Sequence, residues 1–462
     1  MAPTTAQKGP PSQTTGLRSH EQERAASYAL LEKARSNAAK ECRYNSQEAR
    51  RSMTERCQQA TGLVPYPEQL DIAECVILGV DCTVIARTGW GKTLPFALPQ
   101  FYLKDRIIII QSPLNVLEVD QETRFNKMGL SAIALNSETY TDDVHKAIVA
   151  GKYNIILAGP ELCLNTEGRF RPLLRTPTFA KRIAAYIIDE AHCITQWGDS
   201  FRTTYSELGT LRAFTSLKIP VVALSATFPP AALEQARKSL LINADFAFHL
   251  NIGNDRPNIA WEVRHMATGK SSYESLAFLI PENLNDDSQF SRTMVFFDDI
   301  SISMKARRWF LSQIPESLRH RVKTYNSRMT AFAKRRVMKL FRRGKIDILF
   351  TTEAAGMGCD IPDIEVVVQY MVPGSLSIWM QRAGRAGRLQ SIKARAVLLV
   401  QPSIFQERGR ATRREGDEII HVKEIEEGLR RWIETTECRR NVSDVYFNNP
   451  PGRKCTSQLR QL

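Results

Sequence analysis

The chain has 462 residues, 43% of them hydrophobic and 24% charged, too much for one ordinary core and suited to two or three folded domains. No stretch approaches the ~20 consecutive apolar positions of a membrane-spanning helix, and residues 1–20 carry no apolar core of a secretory signal, so the composition excludes a membrane protein and the expectation is an intracellular one. The net charge of +14 is uneven, +2 through residue 255 and +12 beyond it, so the second half carries a field suited to a polyanion; a solvated basic face is the plainer alternative.

Residues 1–18, with Gly9-Pro10-Pro11 and several Ser and Thr, have nothing to bury and are expected to be disordered. Residues 19–60 alternate charge with Ala, Leu and Tyr and predict one or two polar helices, a docking element or a flexible extension with no chemistry of its own. From residue 61 the composition is that of a folded domain, expected to run to residue 253. Gln69 opens a helix there. An apolar strand over 82–86 then leads into Arg87-Thr88-Gly89-Trp90-Gly91-Lys92-Thr93 and a helix. Gly89 and Gly91 let the backbone curl so that its N–H groups and the helix N-terminus face a polyphosphate. Lys92 would reach the phosphates and the Thr93 hydroxyl would hold Mg²⁺. The phosphate-loop pattern wants Gly at its first position and here has Ala86, so alone the segment could be a Gly-rich turn that happens to carry Lys-Thr.

Further strands are read over 106–114, 131–135, 153–161, 183–188 and 221–227, alternating with helical stretches as in a doubly wound parallel sheet. The strand over 183–188 ends in Asp189-Glu190-Ala191-His192. At a strand's C-terminal end one carboxylate can bind a Mg²⁺ shell and the next can polarise a water. A lone acidic pair is more often a solvated turn; paired with Lys92-Thr93 it reads as half of an ATP site. Ser225 and Thr227 end the last of these strands and would lie beside the nucleotide. Asn254-Asp255-Arg256-Pro257-Asn258 breaks the pattern and reads as a hinge into a second domain over 254–402, with strands at 292–297, 347–352, 366–370 and 394–400. This half has no phosphate loop. It offers Gly356-Met357-Gly358-Cys359-Asp360 and Gln381-Arg382-Ala383-Gly384-Arg385-Ala386-Gly387-Arg388. Arginines spaced by glycines suit a segment that aims guanidinium groups at a transferring phosphoryl group; a phosphate-contact patch for nucleic acid is the milder reading.

Assembled, these residues resemble the RecQ family of superfamily 2 DNA helicases over residues 63–388. Most specific is His192-Cys193-Ile194-Thr195-Gln196-Trp197-Gly198-Asp199-Ser200-Phe201-Arg202, similar to that family's aromatic-rich loop. The resemblance implies two tandem RecA-like α/β domains, a polar helical N-terminal extension over 1–60 and a short C-terminal helical tail. It implies ATP and Mg²⁺ as cofactors, with Lys92, Thr88, Gly89, Gly91 and Thr93 on the phosphates, Thr93 and Asp189 on the metal, and Glu190 activating water. Gln69 would read adenine, Asp360 would approach the ribose, and Arg385 and Arg388 would meet the triphosphate from across the cleft. His192, Gln196, Trp197, Phe201, Arg202, Ser225 and Thr227 would bind DNA or couple it to hydrolysis; Trp197 and Phe201 could instead be core.

The implied activity is ATP-dependent 3′-to-5′ unwinding of single-stranded and tailed duplex DNA in repair and recombination, by a nuclear monomer. A RecQ-derived DNA-binding protein with weak or no unwinding is the alternative, and RNA unwinding is disfavoured by the aromatic loop. Three departures stand out. Asp199-Ser200 replaces the family's His-Asp, and Tyr325-Asn326 its Tyr-His. Over 403–462 only Cys438 and Cys455 stand where the family has four zinc-ligating cysteines, so a truncated or diverged module without zinc is expected.

Overall fold

The computed structural model describes residues 19–113, 115–196, 203–269, 272–286, 288–355, 361–389, 391–407 and 421–451. Trp197, Phe201, Arg202, Asp360 and Cys455 lie outside them. Seven strands, β1 (Asp81–Ile85), β2 (Ile107–Gln111), β3 (Ala132–Leu135), β4 (Ile155–Ala158), β5 (Ile183–Ile188), β6 (Val221–Ser225) and β7 (Ala247–Asn251), form one sheet in the order β3-β4-β2-β5-β6-β1-β7. Six more, β8 (Ile259–His265), β9 (Thr293–Phe296), β10 (Val322–Tyr325), β11 (Ile348–Thr351), β12 (Val366–Tyr370) and β13 (Ala394–Val400), form a second in the order β10-β11-β9-β12-β13-β8.

Every pairing in both sheets is parallel. Parallel strands are joined by crossovers that cover both faces, so the central strands are mostly apolar. β2 shows the consequence: Ile108 and Ile110 enter the core on one face, Ile107 and Ile109 the core on the other. The second sheet is likewise packed on both sides. Switching of strand order at β1 and β6 puts the loops after β1, β5 and β6 at one carboxyl-edge crevice, where ligands of such sheets bind.

The N-terminal extension docks. Ser19 caps the helix His20–Cys42 with a capping box, and Asn45 caps Ser46–Thr61. Leu31, Met53 and Cys57 are fully buried against the first domain. The first helix also covers the free edge of β7, where the His249 amide donates to Ser27 Oγ at 3.0 Å.

Beneath both helices lie Asp71 and Glu74, buried on the helix Pro67–Ile77 that carries Gln69. Arg50 Nη1 donates to both carboxylates at 2.7 Å, Arg35 pairs with both, and Tyr28 and Tyr44 donate to Asp71 and Glu74 at 2.8 and 2.9 Å. The arginines hold Glu74 below the usual carboxylate range against the opposing effect of burial. Glu74→Ala leaves Asp71 as the one carboxylate facing two half-buried guanidinium groups, so the first domain should lose about 3 kcal/mol, read as a lowered midpoint in urea. An unchanged midpoint would show that the extension merely rests on the domain.

The C-terminal tail is helical over Glu427–Glu434 and Arg439–Phe447. Trp432 is fully buried and meets Trp261 of β8 and Trp379 edge-on, with ring centroids 5.9 and 6.0 Å away. Such pairs add about 0.5–1.5 kcal/mol beyond the area they bury. Cys438 stands at the N-terminal boundary of the second helix and makes no side-chain capping bond.

Candidate active site

β1 delivers the chain into the phosphate loop, whose two glycines take φ of 82° and 85° at Gly89 and Gly91, a region other residues enter only with strain. A Cβ at Gly91 would also lie 3.0 Å from Gln69 Nε2. Thr93 ends the loop and begins the helix Leu94–Tyr102. Gln69 is docked on this loop: its Nε2 donates to the Trp90 and Gly91 carbonyls at 3.1 and 3.3 Å, and its Oε1 accepts from the Tyr66 amide at 2.9 Å. In this arrangement the amide joins helix to loop rather than facing outward. The Tyr66 ring stacks on Trp90, a contact with no signal in the sequence pattern.

The carboxylates follow β5. Asp189 Oδ2 accepts from Gln121 Nε2 at 2.7 Å and Oδ1 from the Glu190 amide at 3.0 Å. Glu190 is held at φ 50°, which costs a non-glycine residue about 1–3 kcal/mol and turns its carboxylate toward Lys92. The Lys92 ammonium is buried, lies 3.8 Å from Glu190 Oε1, and has no hydrogen-bond partner among the described residues. Burial, and then the neighbouring Glu190, push Asp189 up to about 6. Burial opposes ionisation of Glu190 too, but Lys92, His192, Arg385 and Arg388 outweigh it and hold that carboxyl below its usual range. His192 is pushed down to about 4, chiefly by burial, so its ring is neutral near pH 7.

Arg385 and Arg388 face these groups from the second domain. A cleft of about 360 Å³ is lined by Thr88, Gly89, Gly91, Lys92, Thr93, Gln121, Asp189 and Glu190 on one side and Pro362, Arg385, Arg388 and Leu389 on the other. A larger open depression beside Arg171 and Arg175 lacks carboxylates and a phosphate loop. The cleft fits a magnesium nucleotide: an ammonium without a hydrogen-bond partner among the described residues faces two adjacent carboxylates, and Thr93 and Asp189 line the same wall.

His192, Ser225 and Thr227 are buried. His192 Nδ1 lies 2.9 Å from Ser225 Oγ, the Thr227 amide donates to Ser225 Oγ at 3.0 Å, and Gln381 Nε2 donates to Thr227 Oγ1 at 2.7 Å. These bonds run as a chain from His192, beside Glu190, through Ser225 and Thr227 to Gln381 of the second domain. Gln196 closes the short helix Cys193–Gln196. Gln121, Gln381 and Arg256 also take part in the site, and Gln381 and Arg256 stand within segments that the sequence singles out.

Two parallel-sheet domains, one bringing a phosphate loop and two carboxylates and the other two arginines, form a tandem RecA-like nucleotide site. Residues 66–236 match the model of the DEAD/DEAH box helicases and residues 274–390 that of the helicase conserved C-terminal domain. The chain is 30% identical over 390 residues to the probable ATP-dependent DNA helicase RecS of Bacillus subtilis (strain 168), covering 82% of this chain and 72% of that protein. It is 27% identical to the ATP-dependent DNA helicase RecQ of Pasteurella multocida (strain Pm70), covering 84% of this chain and 58% of that protein. The fold is similar to that of the Mycobacterium smegmatis helicase Lhr, solved bound to ssDNA and AMP-PNP, with TM-score 0.57, 19% identity, and coverage of 76% of this chain and 47% of that one. The chain belongs to the RecQ family of ATP-dependent helicases in superfamily 2.

Proposed function

We propose that this protein hydrolyses ATP and uses the cycle to move 3′ to 5′ along single-stranded DNA and separate tailed duplexes, as a nuclear monomer in repair and recombination. The observation that carries the reading is the cleft itself, where the Lys92 ammonium and the Glu190 carboxylate of one domain face Arg385 and Arg388 of the other. Lys92 and the loop amides hold the phosphates. Glu190, ionised near neutrality, orients a water and takes its proton. Arg385 and Arg388 neutralise charge on the transferred group. When bound, magnesium would be held by Thr93 and Asp189 and would neutralise phosphate charge.

Because groups from both domains meet one nucleotide, binding draws the domains together and hydrolysis releases them. Backbone phosphates would be met by the +12 half of the chain, without sequence preference. The test is ATP turnover with and without single-stranded DNA, followed by strand separation on 3′-tailed and 5′-tailed duplexes across a salt series. Turnover should rise severalfold with the strand, and only the 3′-tailed duplex should open, less so as salt increases. Turnover indifferent to DNA would remove the motor reading, and opening of the 5′-tailed duplex would reverse the polarity.

A further inference from the structure

The connection between the two sheets, from the end of β7 at Asn251 to the start of β8 at Ile259, is the segment that must absorb any change in domain orientation. It is not free. The second helix of the C-terminal tail and the turn after it clasp it along its length. Asn251 Nδ2 donates to the Asn448 carbonyl at 2.8 Å. Asn448 stands at φ 50°, a turn that asparagine tolerates, and this brings Asn449 onto the hinge. Asn449 then forms a reciprocal pair of hydrogen bonds with Asn254, accepting from its amide at 3.2 Å and donating to its Oδ1 at 2.9 Å. Arg440, 9% exposed, spreads its guanidinium over Asp255, the Arg256 carbonyl at 3.1 Å and the Ile259 carbonyl at 2.6 Å. A planar fork that meets three acceptors on both sides of the linker fixes its dihedrals.

Arg256, 6% exposed, points the other way, into the seam between the domains. From the first domain it reaches Thr88 of the phosphate loop, at 3.3 Å to the carbonyl and 3.0 Å to Oγ1. From the second it reaches the Gly384 and Ala386 carbonyls, each at 3.1 Å, and that of Gly387. Gly384 and Ala386 flank Arg385, and Gly387 precedes Arg388. One guanidinium thus holds the backbone around both cleft arginines against the loop that cradles phosphate. Thr88 Oγ1 adds a direct bond to the Gly384 carbonyl at 3.0 Å.

We propose that Arg440 and Arg256 are positioning residues for hydrolysis, acting in series: the C-terminal helices fix the hinge through Arg440, and the hinge fixes the aim of Arg385 and Arg388 through Arg256. This gives the tail a task that needs no metal, and it rests on the proposed hydrolysis of ATP. Misplacing a reacting group by ~1 Å costs up to about 100-fold in rate, so the effect belongs in kcat rather than in nucleotide binding.

The experiment uses the full chain and measures ATP kcat and KM together with thermal unfolding for Arg440→Ala, Arg440→Lys, Arg256→Ala and the double variant Arg440→Ala/Arg256→Ala. We expect kcat to fall about 10-fold in Arg440→Ala and about 100-fold in Arg256→Ala, with KM within about twofold of wild type. The double variant should be no slower than Arg256→Ala alone, because residues in series do not add. Arg440→Lys keeps a charge for Asp255 but cannot bridge both carbonyls, so it should retain most of the defect at an unchanged melting temperature. If Arg440→Ala melts early, Arg440→Lys decides the matter. Arg431→Ala, exposed on the neighbouring tail helix, should match wild type.

Wild-type kcat in Arg440→Lys, a rise in KM alone, or additive losses in the double variant would overturn the relay while leaving the hydrolysis reading intact. A wild-type chain that turns over no ATP would overturn that reading, and the relay with it.

Discussion

Glu190→Gln is expected to lower ATP turnover about 10²- to 10⁴-fold while leaving ATP bound, the range over which a positioned general base accelerates proton transfer. The substitution keeps the side chain's shape and its place at the left-handed turn after β5, but removes the negative charge that Lys92, Arg385 and Arg388 favour. Phosphate contacts from the loop amides and Lys92 remain, so equilibrium binding of labelled ATP should stay within a few-fold of wild type. Lys92→Ala should behave oppositely at the binding step, because it deletes the buried ammonium that faces the cleft. Single-turnover hydrolysis and equilibrium binding, run on both variants, separate the two roles. Unimpaired turnover in Glu190→Gln would remove that residue from the chemistry.

How far the sequence could be read depended on where each element sits. The strands recognised from sequence are β1 to β6, β9 and β11 to β13, most of them buried on both faces and so written as apolar runs. Those passed over are β7, β8 and β10, each at an end of its sheet. An edge strand can mix polar residues into its pattern: Glu262, Arg264 and His265 interrupt β8, and Glu262 pairs with Arg395 on the neighbouring β13 at 2.7 Å. Periodicity alone does not separate such a stretch from a loop.

The site divides the same way. A phosphate loop and an acidic pair are contiguous in sequence, and each residue's chemistry is visible in its own side chain. Arg256 and Arg440 act on carbonyls more than a hundred positions away, and a backbone acceptor leaves no mark in a sequence. The N-terminal extension shows a third case. Its helices were legible, but their docking depends on Asp71 and Glu74, which look like surface residues of an ordinary amphipathic helix until Arg35 and Arg50 are seen above them.

Arg385→Ala should have the largest effect of any single change in the cleft, a loss of about 10³- to 10⁵-fold in kcat, the range for removing an arginine that stabilises phosphoryl transfer. Arg385 is 6% exposed and lines the wall opposite Lys92 and Glu190, so its largely desolvated charge acts directly across the cleft. Arg256 holds the carbonyls of Gly384 and Ala386 on either side, so the deletion removes the guanidinium while the frame around it stays bonded. The loss should therefore appear without a change in melting temperature and with only a modest change in ATP binding. Arg385→Lys is the sharper variant. It keeps the charge but not the planar fork, and should recover part of the rate if charge dominates and almost none if two directed hydrogen bonds are needed. Steady-state ATPase and thermal unfolding on both variants provide the check. A kcat within about tenfold of wild type for Arg385→Ala would leave phosphoryl charge to Lys92 and Arg388, and would reduce Arg385 to a contact between the domains.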